Sequence, residues 1–306
     1  MTLKKIFLFL ALSSIAAAQV VYEPLHRDVY NYLSRLSQKS IIQFDDQVRP
    51  VSRKYIAEKL IEASDKSNEL TSLEREELEF YNKDFKRELD FINNVEIDSA
   101  QITLVDYDKG DRLRLFGYRN NFFSLNLSPI LGFKIGSRDN EKLTHFWNGI
   151  YTYGYIDKYI GFSFDFRDNT ESGSTIDKTK EFTPVTGVEA KSSLTSPLYS
   201  LDKMEYSESK AVIATDWGWG SFAVGKDFLE WGYSESGLIV LSQKPPSYGF
   251  IRLDIKPVDW LKFNYMHGWL SSGVIDSNSI FYNTSGGISF SFVDKFIATH
   301  SLIITP

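Results

Sequence analysis

The chain has no cysteine. That excludes a disulfide scaffold, a cysteine-ligated zinc site and a lipid anchor on a first mature cysteine. Histidine is scarce, with only His26, His145, His267 and His300, and no His-x-x-x-His pair occurs. Asp165 and Asp168 stand three apart on a predicted strand and so point to opposite faces. No metal site or cofactor is therefore expected. Beyond the first twenty residues no apolar run approaches the ~18 residues of a spanning helix. Positive charge is not in excess either: 34 Lys and Arg face 40 Asp and Glu, for a net charge of −6. A general nucleic-acid binder is excluded on that balance.

What is abundant is aromatic surface, with 17 Tyr, 23 Phe and 6 Trp. Such a content suits a protein with long interfaces to line. The N-terminus reads as a secretory signal peptide over residues 1–18. Lys4 and Lys5 form a basic start, Ile6 to Ile15 a short apolar run, and Ala16-Ala17-Ala18 a small-residue cleavage site. The mature chain is expected to be exported.

Residues 19–95 carry a helical period. Leu25, Val29, Leu33 and Leu36 mark one amphipathic helix. Ser52 is a candidate N-cap for a second, striped by Ile56, Leu60 and Ile61. Thr71 and Glu74 have capping-box spacing before a third, with Leu78, Tyr81, Phe85 and Leu89 on one face. The unit reads as a folded cap or docking module for a periplasmic partner, its charged runs as solvated surface.

From residue 96 to 306 the period becomes two. Phe123, Leu125 and Leu127 alternate with small polar residues. Ile160, Phe162, Phe164 and Phe166 alternate with Gly161, Ser163, Asp165 and Arg167. In "FIRLDIK", Ile251, Leu253 and Ile255 alternate with Arg252, Asp254 and Lys256. Most runs approach the about 9–11 residues that cross a bilayer as a tilted strand. Two architectures fit: a soluble sandwich with its apolar faces meeting in a core, or a transmembrane β-barrel with those faces in lipid. Short connections at 119–121, 157–158, 218–219 and 257–259 alternate with long ones at 136–142, 169–206, 229–247 and 273–283. That asymmetry favours an outer-membrane barrel, as does the clustering of Trp217, Trp219, Trp231, Tyr233, Tyr248, Trp260 and Trp269 near strand ends. The expected fold is mainly β, an antiparallel transmembrane β-barrel after a small N-terminal helical domain. Its lumen-facing charges would be Arg112, Arg114, Arg167, Arg252, Asp254 and Lys256. Eleven strands are predicted, counting 99–107 and 284–294. Because bacterial single-chain barrels have even counts, that number implies a barrel truncated at its C-terminus.

The stretch 225–270 resembles the Wzi family of capsule-assembly outer-membrane proteins. The likeness lies in the order of Gly225-Lys226-Asp227, Trp231-Gly232, Gly237-Leu238, Leu241-Ser242, Pro245-Pro246 and a hairpin ending in Gly268-Trp269-Leu270. Residues 33–60 are similar to the helical segment that precedes the barrel in that family. The resemblance implies a lectin-like outer-membrane protein that holds capsular or exopolysaccharide at the cell surface, its helical unit on the periplasmic side. The same resemblance implies about eighteen strands, more than this chain supplies. Candidate sugar-stacking rings are Trp231, Tyr233 and Tyr248. Alternatively, Trp231-Gly232 and Pro245-Pro246 fold the 229–247 loop into or over the barrel.

No enzyme is expected. His267, with Ser271 and Ser272 nearby, lacks a spacing that specifies a triad. "GSFAVGKD" at 220–227 has phosphate-loop spacing but places Asp227 where Ser or Thr should hold the metal. The competing functions are a passive porin-like channel and a secreted soluble carbohydrate-binding sandwich.

Overall fold

A computed structural model describes residues 20–106, 113–177, 202–233, 237–238, 240–282 and 287–304. The expected signal peptide and Arg112 lie outside these residues.

The N-terminal unit contains helices α1 (Val29–Gln38), α2 (Arg53–Asp65), α3 (Ser72–Asp84) and α4 (Lys86–Ile92), with the two-residue strand β1 (Val48–Arg49) between α1 and α2. The Ser52 hydroxyl accepts from the Tyr55 backbone N–H at 3.1 Å and starts α2. Thr71 and Glu74 form the capping box that starts α3. The third predicted helix is divided at Phe85, which leaves helical geometry and turns its ring fully into the core. Val29, Leu33, Leu36, Ile56, Leu60, Leu78 and Tyr81 fill that core, as the predicted stripes require.

The rest is mainly β. Ten strands form one antiparallel sheet: β2 (Gln101–Asp106), β3 (Arg114–Arg119), β4 (Phe123–Arg138), β5 (Glu141–Ile156), β6 (Ile160–Ser172), β7 (Lys203–Asp216), β8 (Gly220–Asp227), β10 (Tyr248–Val258), β11 (Leu261–Ile275) and β14 (Phe292–Ile304). Neighbours in the sheet follow chain order without a crossover, from β2 at one edge to β14 at the other. The short strand β9 (Glu230–Trp231) leaves the sheet to pair with β1.

Of the strand predicted at 284–294, the described residues 288–289 do not join the sheet, whereas 292–294 begin β14. Ile288–Ser289 (β13) folds back on Phe281–Tyr282 (β12), and β14 pairs directly with β11. Alternation at 288–292 is genuine, but its partner is local. Among the described residues the sheet has ten strands where eleven were predicted. Gln101, opposite Arg119, and Ile304, opposite Leu261, then lie at the same short-turn end. The odd count that suggested missing strands is therefore not observed. Edges β2 and β14 do not pair with each other, and the sheet is open.

The two faces differ sharply. One carries Ile150, Phe164, Phe166, Ile213, Phe222 and Val224, all exposed. The other carries Tyr151, Tyr153, Tyr155, Val212, Ala223 and Met266, all buried. The helical unit covers this second, inner face.

Candidate functional site: the filled inner face

The inner face is lined with polar and aromatic side chains, many of which the helical unit meets with partners of its own. The centre is Arg53, the first residue of α2. Its guanidinium reaches Glu23 at 2.5 Å and Glu88 at 2.9 Å, and donates to the Asp84 carbonyl at 2.8 Å. Its two flat faces are covered by the rings of Phe85 at 4.1 Å and Tyr153 of β5 at 4.6 Å. Tyr155, two residues along the same strand face, donates to Glu88 at 2.6 Å. Burial alone would lower the Arg53 pKa; Glu88, Tyr153 and Glu23 outweigh it and hold the group charged, well above its usual value. This cluster ties helices to sheet through buried charge.

A second cluster sits on β10. Arg252 is buried, pairs with Asp254 at 2.8 Å and donates to the Pro50 carbonyl at 2.7 Å. The Tyr22 ring lies 4.8 Å from its guanidinium carbon, and Asn264 donates to Asp254. Farther toward the long loops, Asp165 pairs with Arg167 at 3.0 Å and with Lys210 at 3.5 Å. Arg167 also contacts His26. At the short-turn end Lys262 pairs with Asp45 at 2.7 Å, and Arg119 with Asp90 at 2.7 Å.

Segment 20–22 runs directly over the sheet. A Cβ on Gly161 would stand 1.9 Å from the Val20 carbonyl oxygen, so only glycine permits this approach. The 229–247 loop closes over the same region. Val48 and Arg49 pair with Trp231 and Glu230, the Gly232 N–H donates to the Gln47 carbonyl at 2.8 Å, and Trp231 bridges to Leu241. Leu229, Trp231, Leu241 and Tyr248 thus share a buried cluster with Val20, Tyr22, Val48 and Phe250.

The sequence-predicted residues fall into three groups. Arg114, Arg167, Arg252 and Asp254 point to the inner side, where Arg114 donates to Asn126. What they meet is protein: Arg252 is 4 % exposed. Lys256 is exposed beside Asp259 at the short-turn end. Of the candidate rings, Trp231 and Tyr248 are 4 % and 5 % exposed and offer no open face for a sugar. Tyr233 is 60 % exposed, its hydroxyl donating to Asp45 at 3.3 Å.

Sequence reading missed Arg53, Glu23 and Glu88 because buried charge on a polar helical face looks like solvated charge. The run Tyr151-Thr152-Tyr153-Gly154-Tyr155 carried a signal, since three tyrosines on one strand face call for hydrogen-bond partners opposite. Among the described residues no group of His, Asp and Glu side chains could hold a metal ion. No protein-family model, curated protein or solved structure matches the chain.

Proposed function

We propose that the ten-stranded sheet is the wall of an outer-membrane β-barrel filled by its own N-terminal unit, and that the protein holds capsular or exopolysaccharide at the cell surface. The observation that carries the membrane part is the outer face. Leu131, Ile213 and Leu302, on widely separated strands, are 74 %, 57 % and 62 % exposed, and further exposed apolar side chains such as Phe164, Phe222 and Val224 lie on strands between them. So broad an apolar surface needs hydrocarbon or a partner protein against it. Strands of 11 residues in β10 and 16 in β4 and β5 are long enough for the first. Phe122, Tyr159 and Trp260 stand exposed at the short-turn end, as residues of an interfacial girdle do. In lipid the β2 and β14 edges must be paired, with each other or with further strands.

The filled inner face favours holding a ligand over conducting solutes. Of the rings singled out from sequence, Tyr233 is the exposed one, and through Asp45 it stands close to Lys262 at the short-turn end rather than among the long loops. Two measurements test the proposal. Spin labels at positions 253 and 164 in detergent or bilayers should report acyl chains; an aqueous or protein-packed signal refutes the membrane part. Purified surface glycan should bind the detergent-solubilised protein, which should show no single-channel conductance. Conductance without glycan binding refutes the holding role in favour of a channel.

A further inference from the structure

We infer that a basic cavity between the α3–α4 corner and the inner side of β2–β4 binds a small oxyanion, a phosphoryl or carboxylate group of the kind carried on acidic sugars. The cavity measures about 280 Å³, near the lower end of ligand-pocket sizes. Lys83, Lys86, Arg87, Arg114 and Arg119 line it, against one carboxylate among the described residues, that of Asp84. That is local positive charge in a chain whose net charge is −6.

Charge alone is a weak argument, because several of these cations have partners. Lys83 pairs with Glu79 at 3.1 Å, and Asp90 takes Lys86 at 3.6 Å and Arg119 at 2.7 Å. The stronger evidence is unsatisfied donors. The Nε of Arg87, the Nε of Arg119 and the hydroxyl of Ser124 are buried with no hydrogen-bond partner among the described residues. All three residues line this one cavity, and Ser124 is 1 % exposed. Buried polar groups left unpaired are costly and rare, so three of them on residues around one space favour an acceptor there. Among the described residues Arg87 makes no ion pair; its guanidinium lies over the Tyr155 ring at 5.3 Å. Burial lowers its pKa, Tyr155 opposes that, and nearby Arg119 lowers it further, as in a cationic site lacking its anion. An oxyanion offers several acceptor lone pairs and no need of a donor, which is what guanidinium and hydroxyl groups together recognise. The inference holds whether or not the sheet lies in lipid.

Calorimetric titration of the full-length, detergent-solubilised protein would test it, with inorganic phosphate, glucose 1-phosphate, glucuronate and glucose at constant ionic strength. Saturable binding of at least one oxyanion and none of glucose is expected. Tighter binding of glucose 1-phosphate or glucuronate than of phosphate assigns the group to a sugar; equal binding of phosphate assigns the site to the free ion. Arg87→Gln should weaken binding about tenfold or more, the loss of one charged hydrogen bond, without changing the thermal midpoint. Should that variant fail to fold, exposed Lys86→Gln should still weaken binding severalfold. No saturable binding of any oxyanion, or binding unchanged in a folded variant, overturns the inference.

Discussion

Replacing Arg53 by Met should loosen the helical unit from the sheet. The side chain is 3 % exposed, and its partners Glu23 and Glu88 are 1 % and 2 % exposed. Methionine can fill the slot between Phe85 and Tyr153, so the apolar contact survives in large part. What is lost is the counter-charge of two buried carboxylates. Glu88 keeps the Tyr155 hydroxyl, and Glu23 keeps Arg27 at 3.8 Å. Removing one partner of a buried pair typically costs ~3–5 kcal/mol, a large share of a domain's ~5–15 kcal/mol. Arg53→Lys should cost less but still ~1–3 kcal/mol, since one ammonium cannot fork to both carboxylates and stack between two rings. The triple variant Arg53→Met, Glu23→Gln, Glu88→Gln removes the stranded charge and should recover more than half of the loss. Urea unfolding of the detergent-solubilised protein, followed by circular dichroism and by trypsin cleavage within residues 20–95, would measure this. A single variant within about 0.5 kcal/mol of the parent, or a triple variant no more stable than the single, refutes the buried-charge account.

Three further outcomes are expected. Gly161→Ala should drive a methyl group into the Val20 carbonyl, detach segment 20–22 and expose the N-terminal end to protease while the sheet's circular dichroism persists; unchanged protease resistance would contradict the close approach. Glu74 is held at about 2 by Lys39 first and then by the Thr71 N–H, so its stabilising contribution is complete above its ordinary value of 4.5 and fades as pH falls from there to about 2; Glu74→Gln should flatten that part of the stability–pH curve, and an unaltered slope would argue against the ionised Glu74 as its source. Tyr233→Ala should weaken glycan binding by ~1 kcal/mol or more at little structural cost, whereas Trp231→Ala should destabilise the folded loop by ~3–5 kcal/mol; glycan affinity insensitive to Tyr233 removes it as a stacking ring.

Alternation in the sequence made the sheet legible because a strand's side-chain period is fixed by its backbone geometry. The split into two faces at Ile251-Arg252-Leu253-Asp254 follows from it directly. Helix starts were equally readable at Ser52 and Thr71, where capping is a local interaction. What could not be read was the pairing of 288–292, whose pattern suits a long strand and a short folded-back one alike. Nor could burial of Arg53, Glu88 and Arg252 be read, since hydropathy assigns every charge to water.

Those buried charges bear on what the inner face is for. A face meant to remain wet needs no partner opposite each group, because water supplies one. Here Arg252 finds the Pro50 carbonyl, Tyr155 a glutamate and Asp45 a lysine, each brought from another element, while Asp254 of the same strand also pairs with Arg252. Such matched desolvation fixes one arrangement of the helical unit on the sheet, since any shifted arrangement would leave several charges unpaired at once. The outer face has little such matching: aside from groups such as Asn148, Asp168 and His300, its exposed side chains are mostly aliphatic and aromatic from Leu131 on β4 to Leu302 on β14. A sheet whose polar face is largely matched within the chain and whose apolar face is not has its main remaining partner on the apolar side. Quenching of single tryptophans placed at Leu131 and Leu302 by brominated lipid is the expected sign that this partner is the bilayer. Equal quenching by an aqueous quencher alone would mean that it is not.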